Sequence, residues 1–524
     1  MSSSGVTGKK NEGRRLLNGG ASRSEVPEPI EDASSTYTLE EGISSVGVGR
    51  FQSLLMLYVG FAWLSDAMEM MLLSFLGPAA ACEWGLTSFQ KGTITSVVFI
   101  GMTVGAYTWG AISDAKGRRM GFCGTALCTA VCGFASAFAP SYGWLLLFRG
   151  LVGFGLGGVP VAFGLFLEFI PSSYRGKQSV ILQSAWTIGA LMEAGLAWAV
   201  MPVGGWRMLL AISSIPLVVL LLLFPLLPES PHYLLTKGEV QKAEAVLVKM
   251  ARVNGTSLPA GRLAASKIVQ HADSNSSSKL KNVYNSLAHG MKKIFSPALR
   301  RTSILLHYTW VTNAMTYYGL VLLTTELHAE ENDNCVGDDK KDPNIDSSDY
   351  RDIFIATMAE SVGLVLAYLM IDRFGRLKSM AGYLFECAIA LLPLVFFNLS
   401  VHQSTSCLFL ARAGIVGSFT VIYTYTAEVY PTAIRSFGTG FANAWSRFGG
   451  LMAPFVAVEL VDSGRDWLAE IILIGMCLVA GTCVLLMPIE TAGRELQDDD
   501  EIEMTTVITK QPSDVPEPDS PPPL

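Results

Sequence analysis

Charge is what this 524-residue chain has least of: 16% of its residues are Asp, Glu, Lys or Arg, against 50% hydrophobic. The charges gather at the termini and in a few connections, where a soluble protein would spread them over its surface. The composition is therefore that of a polytopic membrane protein. Histidine is scarce as well, six in all and scattered; no nucleophile–base pair is visible, so an enzyme is not expected. The nine cysteines lack metal-ligand spacing, and Cys123, Cys128 and Cys132 fall on one apolar segment, where they read as small core- or lipid-facing residues. Neither a metal nor a cofactor is expected. No cleavable signal peptide is visible, because the first fifty residues are polar and the first apolar run is already a full span. The net charge of −7 sits largely in the connection Glu326–Asp352 and the tail Asp498–Glu503. It says little about partners, and no nucleic-acid partner is expected.

What the chain does have is long apolar runs. The informative one is Leu54–Leu76, LLMLYVGFAWLSDAMEMMLLSFL, long enough to cross about 30 Å of hydrocarbon at about 1.5 Å per residue. It carries two carboxylates, Asp66 and Glu69, each costing about 2.5–3.5 kcal/mol on an insertion scale. Three residues apart, they share a helix face, and that face must look at protein or water. A polar cavity is expected, with the other apolar segments around it.

Twelve spans are read, at about 52–76, 91–113, 121–139, 144–167, 178–200, 207–227, 302–325, 352–371, 379–398, 406–427, 437–459 and 468–488. Lys9, Lys10, Arg14, Arg15, Arg50, Lys116, Arg118, Arg119, Arg175, Lys177, Arg373, Arg376, Lys378 and Arg435 all fall on one side, which by the positive-inside rule puts both termini in the cytosol. Cys82 and Cys335 lie in two connections on the opposite side, where they could pair. Asn398-Leu-Ser400 is a glycosylation sequon on that side, close to the bilayer.

Residues 1–50 are Ser/Gly/Pro-rich and expected to be disordered; Leu16-Leu17 there fits an acidic dileucine sorting pattern. Residues 51–227 form a first six-helix bundle, 228–300 a cytosolic linker, 301–490 a second bundle, and 491–524 a disordered acidic and Pro-rich tail. Within the linker, Lys237–Asn254 is amphipathic and Asp273–Lys279 reads as flexible chain.

The two bundles repeat. Asp114, Gly117 and Arg118 follow the second span as Asp372, Gly375 and Arg376 follow the eighth. Glu168, Pro171 and Arg175 follow the fourth as Glu428, Pro431 and Arg435 follow the tenth. The offsets are 258 to 260 residues, so the halves share one orientation, an arrangement that places a substrate site at midplane between them. The run Gly153-Phe-Gly155-Leu-Gly157-Gly158 satisfies a dinucleotide-binding pattern but follows no strand, so close helix packing is the better account.

These paired motifs, with Pro228-Glu229-Ser230-Pro231 after the sixth span and Pro488-Ile489-Glu490-Thr491 after the last, resemble the major facilitator superfamily, in its sugar-porter and organic-ion branch. The first span narrows the resemblance: GFAWLSDAMEMMLLSFLGPAA is similar to the synaptic-vesicle-protein and plant organic cation/carnitine branch, which includes nicotinate transporters. The spacing of its two carboxylates also resembles the aromatic-acid/proton symporters. The resemblance implies an all-α membrane fold of twelve helices in two pseudo-repeats. Spans 1, 2, 4, 5, 7, 8, 10 and 11 would line a cavity. The inner charge motifs (Asp114, Arg118, Arg119, Glu168, Arg175, Asp372, Arg376, Glu428 and Arg435) would be latches that hold the outward-facing state.

The intramembrane charges fit such a path: Asp66 and Glu69 in span 1, Arg149 in 4, Glu193 in 5, Glu360 in 8, Arg412 in 10 and Arg447 in 11. Glu386 in span 9 is unexplained. Arg447 can clamp a carboxylate through two parallel hydrogen bonds, or serve as the structural partner of Asp66 or Glu69. The two acids could carry a coupling proton, bind an organic cation or neutralise Arg447, and the sequence leaves all three open. Asn313, Tyr317 and Tyr318 on span 7 could contact a flat ring. The expectation is a monomeric, proton-coupled carrier of a small organic ion, an aromatic monocarboxylate such as nicotinate, in the plasma membrane or a vacuolar or endosomal membrane. The alternatives are an organic-cation or carnitine carrier, and a non-transporting membrane binder or sensor.

Overall fold

The computed structural model describes residues 36–264, 288–330, 347–397, 399–431 and 434–492. The dileucine, the Asp273–Lys279 run, Cys335, Asn398 and the tail beyond 492 lie outside them. Eight helical segments are long and apolar enough to cross a bilayer. One of them, Ile181–Leu226, contains two passes. These meet at Gly205, whose φ of 64° lies in the left-handed region where only glycine is at ease. The more polar helices Arg118–Ser136, Arg300–Glu330 and Arg435–Ala457 supply spans 3, 7 and 11, which brings the passes to twelve.

Span 1 runs over Arg50–Trp84 and span 2 over Ser88–Lys116; span 4 is made of Tyr142–Leu156 and Val159–Leu167, broken at Gly157-Gly158. Span 5 is the part of Arg175–Ser213 before Gly205, and span 6 continues from there through Ile215–Leu222. In the second half, Ser347–Phe374, Arg376–Phe396, Val401–Val429 and Asp466–Leu485 are spans 8, 9, 10 and 12. The packing repeats as the sequence does: span 1 lies on 5 and 2 on 4, and likewise 7 on 11 and 8 on 10. The glycine run in span 4 is a packing surface. A methyl on Gly153 or Gly157 would overlap the backbone of Val98 or Met102 in span 2, so these two helices touch main chain to main chain.

The end of the bundle that carries the basic motifs, which the positive-inside rule expects to face the cytosol, is termed its inner end. There Gly117 and Gly375, at φ of 108° and 85°, make the sharp turns between spans 2 and 3 and between spans 8 and 9. The Pro-Glu motifs cap the helices that follow. Glu229 accepts from the Arg119 N–H at 3.2 Å, and Glu490 accepts from the N–H groups of Arg376 and Leu377 at 3.0 and 3.1 Å.

Part of the leading segment read as disordered is built into the fold. Thr36-Tyr37 pairs in parallel with Arg262-Leu263, and Leu39–Val46 is a helix with a capping box from Thr38 and Glu41. Its apolar face (Leu39, Ile43 and Val46) packs with Ala243, Leu247 and Met250 of the amphipathic helix Val240–Asn254. A composition-based reading misses it because eight residues of helix become stable only against that partner. Asn254 donates to the Val46 carbonyl of the leading helix at 3.5 Å and ties both helices to the start of span 1, accepting from Phe51 N–H at 2.9 Å and donating to Gln52 at 2.8 Å.

Candidate functional site

Between the two halves lies a cavity of about 120 Å³, lined, among the described residues, by spans 1, 2, 4, 5, 7, 8, 10 and 11. Of the residues singled out in the sequence, Asp66, Tyr317, Tyr318, Glu360 and Arg447 face it. Its walls are aromatic. Trp63 and Trp186 meet edge to face at 6.1 Å on the first lobe, while Tyr317, Phe419 and Tyr423 form a chain of ring contacts on the second.

Arg447 is unusual among the deep arginines. Arg149 and Arg412 are each paired with a carboxylate, whereas Arg447 has none in ion-pairing range among the described residues; its Nη1 reaches Met102 Sδ across the lobes at 3.6 Å. The structural pairing of Arg447 with Asp66 or Glu69 that the sequence left open is not formed. Glu69 turns away from the cavity and pairs with Arg149 at 3.0 Å, both side chains being 1% exposed or less. Ser136 accepts from the same guanidinium at 2.9 Å. A helical wheel cannot separate Asp66 from Glu69. The packing of span 1 on spans 3 and 4 does, by giving Glu69 a cation and Asp66 open space.

Glu193 is also off the cavity, and both its oxygens accept from Ser213 Oγ at 2.8 Å. Asn313 is another correction: its amide donates to the Thr309 carbonyl at 2.9 Å within span 7, and it does not line the cavity. On the second lobe, Glu360 Oε1 accepts from Arg412 Nε at 3.1 Å, from Arg412 Nη2 at 2.8 Å and from Tyr317 Oη at 3.1 Å. Tyr317 in turn accepts from Trp186 Nε1 at 3.0 Å, joining the lobes across the cavity. Glu386, without a role in the sequence, reaches over Gly414 of span 10, where the absent side chain leaves room for its carboxylate.

Sequence reasoning missed the tryptophans, Met102, Phe419, Tyr423 and the pair Asn443 and Ser446. The last two precede Arg447 at helical spacing and share its face, a signal that was present in NAWSRFGG.

At the inner end the charge motifs close within each half. Arg118 binds Asp114 at 2.6 Å and Glu168 at 3.2 Å; Arg376 binds Asp372 at 3.1 Å and Glu428 at 3.0 Å. Arg119 lies 4.6 Å over the Phe224 ring. Arg175 takes its carboxylate from the leading helix, Glu40, at 3.2 Å, and Arg435 opens span 11. His232 lies among these charges, and burial holds its imidazole below the usual histidine range.

Among the described residues, ion pairs between the lobes are found instead at the outer end. Lys91 of span 2 binds Glu326 of span 7 at 3.0 Å and Asp462 after span 11 at 2.6 Å. Ser96 donates to the Leu451 carbonyl at 3.0 Å, and Phe89 packs on Phe455. Cys82 is disulfide-bonded, while the other seven described cysteines are free.

A two-lobed, twelve-helix bundle around a central cavity is the architecture of the major facilitator carriers, and solved structures agree. The xylose transporter XylE from E. coli, in a partially occluded inward-open conformation, superposes with a TM-score of 0.67 at 17% identity, covering 86% of this chain and 100% of that one. The chain belongs to the sugar (and other) transporter family, whose model matches residues 48–502. It is 44% identical over 494 residues to organic cation/carnitine transporter 7 of Arabidopsis thaliana, covering 90% of this chain and 97% of that one. It is also 39% identical to the synaptic vesicle 2-related protein of Xenopus laevis, covering 90% and 84%. This is a multi-pass membrane transporter and not an enzyme.

Proposed function

We propose that the chain is a proton-coupled carrier of an aromatic monocarboxylate such as nicotinate, working by alternating access. The observation that carries the reading is Arg447, a guanidinium on the cavity wall with no carboxylate partner among the described residues. A planar fork with free donors, next to aromatic faces, suits a flat organic anion. Asp66, on the opposite lobe and open to the same cavity, is where a coupling proton exchanges with water. Glu69 and Glu193, two buried carboxylates with one guanidinium between them, supply a reason for that lobe to hold a proton as well.

The inner motifs act as latches. With their pairs closed inside each half and the described ion pairs between the lobes lying at the outer end, the cavity faces the side of the termini, which is the cytosol if the basic motifs obey the positive-inside rule. The carrier acts as a monomer in the plasma membrane or a vacuolar or endosomal membrane.

The test is uptake of labelled nicotinate at two pH values by wild type and Arg447→Ala. Uptake that rises on acidification and is lost in the variant is expected; uptake unaffected by the substitution refutes the clamp. A second reading, an organic-cation or carnitine carrier, is favoured by Asp66 standing beside Trp63 and Trp186, an acid among aromatic faces, and by the name of the Arabidopsis relative. A matched panel of acids and amines separates the two.

A further inference from the structure

The ion pair on the second lobe is lopsided. Arg412 Nε, Arg412 Nη2 and Tyr317 Oη all converge on Glu360 Oε1, while Glu360 Oε2 is buried with no hydrogen-bond partner. A guanidinium facing a carboxylate ordinarily engages both oxygens. Here Nη2 sits against Met71 Sδ of the other lobe at 3.4 Å, and Nη1 also lacks a partner. Glu360 is fully buried and lines the cavity. A buried carboxylate oxygen without a partner among the described residues, on a side chain that lines the cavity, is a place for a donor, since native structures rarely leave such an atom unpaired.

The two lobes differ in this respect. In the first, the unpartnered atoms (Tyr37 Oη, Arg119 Nε and Glu168 Oε2) all lie at the inner end. In the second, the described residues with such atoms include His307, Asn313, Arg412 and Ser418 as well as Glu360, and of these Glu360 is the one that lines the cavity.

We propose that Glu360 Oε2 is the donor-accepting subsite of the cavity: the transported molecule presents an N–H or O–H to it while its carboxylate lies on Arg447. This deepens the anion-carrier reading and rests on it. The substrate class becomes an aromatic monocarboxylate with a hydrogen-bond donor on its ring. Hydroxylated aromatic acids meet the requirement at any working pH. Nicotinate, whose ring nitrogen is otherwise an acceptor, meets it only as its ring-protonated zwitterion. Tyr317, held between Glu360 and Trp186, keeps Oε1 occupied so that Oε2 is the oxygen left for the ligand.

The experiment measures binding of benzoate and of 3- and 4-hydroxybenzoate to the purified full chain in nanodiscs, for wild type, Glu360→Gln and Arg447→Ala. Wild type should bind one hydroxylated acid roughly tenfold or more tighter than benzoate, the gain of a hydrogen bond to a charged acceptor. Glu360→Gln should lose that preference and bind the three acids alike, its folding being checked independently by size-exclusion chromatography and thermal melting. Arg447→Ala should lose all three acids. Equal binding of the acids by wild type, or a preference that survives Glu360→Gln, overturns the subsite and leaves the anion reading standing. Failure of wild type to bind any acid overturns the anion reading and the subsite with it.

Discussion

Lys91→Met tests whether the outer seal between the lobes is energetic or incidental. Lys91 is 11% exposed and is shared by Glu326, 4% exposed, and Asp462, 23% exposed. Replacing it leaves two carboxylates facing each other across a seam from which water is largely excluded. Breaking a fully buried pair by removing one partner costs about 3–5 kcal/mol. The exposure of Asp462 lets water relieve part of that, so about 2 kcal/mol is a working figure. The cost falls on one state only, because both acids become hydrated once the lobes part at that end. A bias of about 2 kcal/mol shifts the ratio of outer-closed to outer-open molecules roughly thirtyfold. Electron–electron double resonance between spin labels at Thr87 and Ser463, exposed positions on the two sides of the seam, reads this directly in a background with the seven free cysteines replaced. Lys91→Met should add a longer-distance population and Lys91→Arg should not. A distance distribution unchanged by Lys91→Met would refute the argument, because the triad would then contribute nothing to the choice of state. Swapping the charges, Lys91→Glu with Glu326→Lys, should recover part of the closed population, as a paired interaction requires.

Other outcomes follow from the same geometry. Arg118→Ala, which removes the guanidinium shared by Asp114 and Glu168, should leave expression intact and cut transport; wild-type uptake would remove the latch reading. Gly153→Leu should prevent spans 2 and 4 from touching, because no rotamer avoids the Val98 backbone, and should abolish folded monomer on size-exclusion chromatography. Asn254→Ala deletes the bonds to Phe51 and Gln52 and should lower thermal stability by about 1–2 kcal/mol, with the leading helix more open to protease. Glu69→Gln leaves Arg149 without its buried counter-charge and should abolish the pH dependence of uptake; a variant that keeps the wild-type pH profile would remove Glu69 from the proton path.

Much of the architecture was legible before any coordinates. Apolar runs of membrane-crossing length and two motif pairs in register set the number of passes and the parallel repeat, because a bilayer core leaves the backbone few alternatives to a helix. The family resemblance supplied the spans that border the cavity, and the intramembrane charges agreed for spans 1, 4, 5, 8, 10 and 11, with Glu386 in span 9 and Glu470 in span 12 outside that set. The leading helix was not legible: its stability comes from Val240–Asn254, some two hundred residues away in sequence.

The site divides in the same way. That Asp66, Glu69 and Arg447 must avoid lipid followed from their cost in hydrocarbon, which is a property of each residue. Which acid meets which base did not follow, because pairing depends on the rotation of one helix against another. Packing of span 1 gave Glu69 to Arg149 and left Asp66 open to the cavity. It put three donors on one oxygen of Glu360 and left Arg447 without a carboxylate among the described residues. The sequence by itself determined that charges stand at mid-depth, since only a wet or paired setting tolerates them; tertiary structure alone decided which are spent on one another and which remain for a ligand, because that is settled by distances of a few ångströms between helices.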